Sequence, residues 1–238
     1  MTTFVPDHQP PSRPDGRLRA QFWIATGIFI IGAILFQAVD IDLAAEDWFY
    51  QDGRFIGRGS FWADKLIHKK GGQLIVSIAL VALALLAASL KIPRLVPWRR
   101  GAVYLLCSLA LGSGLVGALK SVTNVDCPWD LARYGGVKAM PYVHIYEDKP
   151  DALAQGACFP GGHSSGAFSM FAFYFLARQY RPEWSKPALA SVLVLGSCWG
   201  LGQWARGAHF PSHDFYSAFI CWTVALWLYR LFWKEQAV

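Results

Sequence analysis

Apolar and polar positions in this chain segregate into long blocks instead of alternating at helical or strand spacing. Four blocks, 22–39, 73–90, 101–119 and 187–205, each approach the roughly 20 apolar residues needed to cross a bilayer. Two shorter ones, 164–177 and 215–229, lengthen if Arg178 and Arg230 snorkel to the interface. A soluble helical protein would show polar stripes within such runs, and these show almost none. The pattern predicts an all-α fold, a six-helix transmembrane bundle. Between the first two helices, segment 43–70 carries aromatic and charged clusters in turn and predicts one or two short helices lying along the membrane interface. Residues 1–21 read as a disordered cytoplasmic N-terminus and 22–238 as a single six-helix domain.

Composition agrees. Of 238 residues, 54% are hydrophobic and only 16% charged, against about 25% charged in a soluble domain. The net charge of +6 would suit nucleic acid only if the basic residues formed one patch. They fall instead in short clusters between apolar runs, so no nucleic-acid partner is expected. The short basic connections "RPDGRLR", "KIPRLVPWRR", "RQYRPEWSK" and "YRLFWKEQ" put both termini in the cytoplasm by the positive-inside rule. The longer loops 40–72 and 120–163 then face outward. The first apolar run lacks a small-residue cleavage site after it and reads as an uncleaved anchor. The expected location is a bacterial-type inner membrane.

Alternating helix directions bring four helix ends to one face. They hold Lys120, "GGHSS" with Gly161, Gly162, His163 and Ser164, then Arg206, and "HFPSHD" with His209, His213 and Asp214. Ionisable groups at a membrane rim are functional candidates, and two cations beside helix N-termini suit a polyanion such as phosphate. Each residue also has a structural alternative: His163 as a helix cap, Lys120 and Arg206 as snorkelling cations. Zinc is set aside because His209 and His213 lack a third ligand at a suitable spacing, so no metal and no cofactor is expected.

Three stretches, "KSVTNVDCP" (120–128), "PGGH" (160–163) and "GQWARGAHFPSHD" (202–214), resemble the type 2 phosphatidic acid phosphatase (PAP2) superfamily. Its signature is K-x6-R-P, P-S-G-H and S-R-x5-H-x3-D. Lys120, Pro128, Gly162, His163 and His209 match. Cys127 stands at the first arginine, Gly161 at the serine, and Gly202 and Gln203 at the Ser-Arg pair. His213 takes the aspartate position, with Asp214 one place later.

The resemblance implies a divergent bacterial membrane lipid phosphatase. His209 would attack phosphorus and His163 would act as general acid, with His213 or Asp214 orienting the nucleophile. Lys120, Arg206, Gly161, Gly162 and Ser164 would bind phosphate, without metal. The implied substrate is a phosphorylated or diphosphorylated membrane lipid, cleaved at the outer face. Two other readings are a lipid-to-lipid phosphotransferase and a degenerate, non-catalytic lipid-binding protein.

Cys127 and Cys158 lie in the loop expected to face an oxidising compartment, beside the first two motifs. They are expected to form a disulfide.

Overall fold

The computed structural model describes residues 15–150 and 152–233. It is mostly helical: α1 (Asp15–Ala38), α2 (Ile41–Phe49), α3 (Gly71–Ser89), α4 (Arg99–Lys120), α5 (Gly162–Ser169), α6 (Ala172–Tyr180), α7 (Ser185–Ala205) and α8 (Pro211–Trp233). Among the described residues, five helical stretches are long and apolar enough to cross a membrane: Gly16–Ala38, Phe61–Ser89, Pro93–Lys120, Pro182–Ala205 and Pro211–Trp233. These make the chain an integral membrane protein. Helix α1 begins at Asp15, so residues 15–21 are helical and not part of a disordered tail; residues 1–14 lie outside the described residues.

The apolar run 164–177 forms two helices, not one. Between α5 and α6 the N–H groups of Met170, Phe171, Phe173 and Tyr174 reach back three residues instead of four, to Ala167, Phe168, Met170 and Phe171. The serines preceding the break promote it. Ser164, Ser165 and Ser169 each bond the carbonyl three residues back, a competition with the helical ladder that bends helices. This broken element lies at the centre. Ala172 and Phe175 are fully buried, and α5 packs against α4, α7 and α8. Tyr104 of α4, also fully buried, donates its hydroxyl to the Ala225 carbonyl of α8 at 2.9 Å. Burying a phenol among helices demands such an acceptor.

Helix α1 sits at the edge, stacking Phe29 on Phe219 of α8 with ring centroids 4.0 Å apart. It exposes Ile24, Ile31 and Ile34 away from that stack, which suits a lipid-facing helix.

The segment expected at the interface is more varied. It holds α2, then a two-stranded hairpin of β1 (Tyr50–Gln51) and β2 (Arg54–Phe55). A π-helical stretch, Phe61–Lys70, follows and runs directly into α3. The second long helix thus begins about ten residues before the apolar block. Ser60 starts it, its Oγ accepting from Ala63 N at 3.2 Å, the usual service of a serine N-cap. Charged "DKLIHKK" hides this turn from hydropathy, although Asp64, Ile67 and His68 within it turn toward the bundle end. Phe55, Leu131, Tyr134, Met140 and Phe210 form a second, smaller core above that end. The loop 121–161 is braced by a buried ion pair between Lys149 and Asp126 and by the Cys127–Cys158 disulfide.

Candidate active site

Four chain segments converge above the bundle. Lys120 closes α4, Gly161 caps α5, Arg206 follows α7, and His209 stands two residues before α8. Pro211 opens α8, where a residue without an N–H costs nothing. The next N–H is capped from far away. Asp42 of α2 accepts from Ser212 N at 2.9 Å and from Ser212 Oγ at 2.5 Å. Burial pushes the Asp42 pKa from 3.8 up to about 6, against the lowering effect of those bonds. Beside it, Glu46 is fully buried, and burial followed by Asp42, Asp214 and Asp47 raises its pKa well above 4.5.

His209 is buried, with its Nδ1 3.4 Å from His213 Nδ1. One Nδ1–H joins the two rings, and either ring can donate it. With Nδ1–H donated to His213, the lone pair sits on Nε2. Burial lowers the His209 pKa well below 6.5, and His213, Lys120 and His163 add to the shift. A neutral imidazole is the nucleophilic form.

His163 lies in the first turn of α5. Its Nε2 donates to the Ile67 carbonyl at 3.3 Å, and its ring lies between His68 (centroids 4.5 Å apart) and Trp199 (5.6 Å). Its Nδ1 is the nitrogen left for chemistry. Lys120 Nζ comes within 3.5 Å of the position a Cβ at Gly162 would take, so the ammonium stands over the start of α5. Arg206 is held from two sides, pairing with Asp64 and donating from Nη1 to Gln203 Oε1 at 2.7 Å.

That last bond gives Gln203 a function the motif comparison treats as lost. Its oxygen is turned toward Arg206, which only donates, so its amide nitrogen must point the other way. Gln203 Nε2 is buried without a hydrogen-bond partner among the described residues. A buried donor beside the Arg206 guanidinium suits an anionic oxygen.

Other expected site residues point elsewhere. Ser164, expected to bind phosphate, donates its Oγ to Asp214 Oδ1 at 2.5 Å and shares it with the Gly161 carbonyl at 3.1 Å. Asp214 also accepts from Trp204 Nε1 at 2.6 Å. Both its oxygens are thus committed to α5 and α7, and His213 is the group beside His209. The Gly161 N–H is also taken, bonding the His213 carbonyl at 3.0 Å. What remains for an anion is the opening turn of α5, from Gly162, where helical N–H groups lack intrahelical partners.

The disulfide puts Cys158 Sγ 3.5 Å from His209 Nδ1. A disulfide sulfur carries no proton, so this is a contact, not a donated bond. It corrects one expectation: a third atom of metal-ligand type does stand beside the two histidines, 51 residues before His209 in sequence. Two other residues escape sequence reading. His68 looks like part of an outer loop and Asp64 like a solvated charge, yet the π-helical stretch brings both to the site.

Paired imidazoles, two cations and an open helix N-terminus meet at one end of a membrane bundle, a set of groups that suits phosphate. The sequence profile of the PAP2 superfamily matches residues 101–237, more than half of the chain, and the chain belongs to that superfamily. Its members are phosphatases, which makes this chain an enzyme hydrolysing phosphate esters. No curated protein and no solved structure matches it. The matched region holds Lys120, His163, Arg206 and His209, whereas Asp42, Asp64 and His68 lie before it.

Proposed function

We propose that the protein hydrolyses phosphate from a phosphorylated or diphosphorylated membrane lipid, through a phosphohistidine, at the outer face of a bacterial-type inner membrane. The observation that carries this reading is the buried His209–His213 pair beside Lys120 and His163, in which a neutral His209 that donates from Nδ1 keeps its lone pair on Nε2. His209 Nε2 attacks phosphorus as the bond to the leaving oxygen breaks. Protonated at Nδ1, His163 gives that proton to the leaving oxygen while its Nε2–H stays on Ile67. Water then attacks the phosphohistidine, His163 takes the water proton back, and the N–P bond breaks to release phosphate. Lys120, Arg206, Gln203 Nε2 and the first N–H groups of α5 stabilise the equatorial oxygens. A lipid substrate follows from the site's place at the end of apolar, lipid-facing helices, and the outer face from the basic short connections.

The test is phosphate release by purified protein over a panel of phosphatidic acid, phosphatidylglycerophosphate and polyprenyl diphosphate, with water-soluble esters beside them. Release from at least one lipid, well above the soluble esters, is the expected outcome. Faster turnover of soluble esters would remove the lipid assignment, and no release from any would remove the catalytic one.

A further inference from the structure

We propose that the Cys127–Cys158 disulfide conceals a transition-metal site of zinc type: once it is reduced, Cys158 Sγ, His209 Nδ1 and His213 Nδ1 bind the ion. The three side chains are buried, and their ligand atoms all lie within 4.8 Å of one another. The spacing is closer to a metal site than that limit requires. Zinc bonds of about 2.3 Å to sulfur and 2.0–2.1 Å to nitrogen give tetrahedral edges of about 3.6 Å for S···N and about 3.3 Å for N···N. The structure has 3.5 Å between Cys158 Sγ and His209 Nδ1, and 3.4 Å between the two Nδ1 atoms. Two edges of the tetrahedron are thus already in place, and water completes the shell.

What withholds the site is the bond to Cys127, since a disulfide sulfur is not a thiolate. A dithiol reductant supplies two electrons and two protons, opens the bridge to two thiols and leaves as its own disulfide. The ion then displaces the Cys158 thiol proton. On His209 the Nδ1 lone pair goes to the metal and the ring proton moves to Nε2. A nitrogen carrying that proton has no lone pair for phosphorus, so the loaded protein is inactive. The disulfide therefore keeps a nucleophile of the proposed mechanism away from metal, beyond its bracing of the loop. The binding itself does not depend on the catalytic reading.

The experiment uses cobalt(II) as a spectroscopic probe, with zinc retention after gel filtration beside it. The oxidised parent should give no thiolate-to-cobalt charge-transfer band. The dithiol-reduced parent should give one, and so should Cys127→Ala without reductant, since it leaves Cys158 unpaired. Cys127→Ala/Cys158→Ala keeps Cys107, Cys198 and Cys221 and should give none. Absence of the band from the reduced parent overturns the proposal whether or not Cys127→Ala folds. A band of equal strength in the double variant overturns it too, by placing the ion on another cysteine. Where phosphate release is measurable, zinc should abolish it in the reduced parent and a chelator restore it.

Discussion

A Cβ at residue 161 would stand 2.3 Å from Oδ1 of Asp214. The same carboxylate limits residue 200, where a Cβ would lie 2.5 Å from Oδ2. Two glycines on separate elements thus make the slot in which Asp214 ties α5 to α7 through Ser164 and Trp204. The family signature has serine at 161 and aspartate at 213. This chain moves the aspartate one residue on, to a different face of α8, and glycine at 161 makes room for it. The two departures are one structural change.

Restoring the family serine should therefore harm the protein. Gly161→Ser forces Asp214 from its slot, an overpacking cost of about 1–3 kcal/mol. We expect a lowered thermal midpoint in detergent, partly recovered when Asp214→Ala is added. An unchanged midpoint in the single variant would mean that the slot is loose.

His209→Ala should abolish phosphate release while leaving membrane insertion unchanged. The parent should yield an acid-labile, base-stable phosphoenzyme that this variant lacks. Because burial keeps His209 neutral well below pH 6.5, the acidic limb that it contributes to kcat/KM should lie below that value. Near-parental turnover by the variant would exclude His209 as nucleophile.

Lys120→Ala and Arg206→Ala should each lower kcat/KM by roughly ten- to a thousandfold, the scale of one preorganised charge contact. Gln203→Leu tests the orphaned amide and should show a smaller loss, again in turnover. A silent Arg206→Ala would assign that guanidinium to its pair with Asp64 alone.

Asp42 gives a pH signature for stability. Its pKa is about 6 folded against 3.8 as the ordinary value, so the folded state holds the proton more tightly. Its contribution is complete below pH 3.8 and is lost as pH rises through about 6, a span worth about 3 kcal/mol. Asp42→Asn keeps an acceptor for Ser212 without titrating. Thermal midpoints measured from pH 4 to 7 should show the parent falling relative to the variant as pH rises. Parallel curves would contradict the raised pKa.

Topology is checked by reporter fusions. Those after Gln51 and Asp148 should read as extracytoplasmic, and those after Arg94 and the C-terminus as cytoplasmic. The reversed pattern would put the site on the inner face.

The sequence alone carried whatever depends on runs and on chain order. Blocks of apolar residues identify spanning helices because a bilayer demands length and hydrophobicity and little else. Lys120, His163, Arg206 and His209 were legible because alternating helices must return to the same face. The Cys127–Cys158 pair was legible from its loop. Tertiary structure alone decided what each polar group bonds. Ser164 faces Asp214 and not the space beside Lys120, because the helix turns it toward α8. The break after Ser169 depends on serines bonding their own backbone, which hydropathy does not register. Asp42, Asp64 and His68 reach the site across separations that no local pattern encodes, since hydrogen bonds and ion pairs depend on distance in space and not on position along the chain.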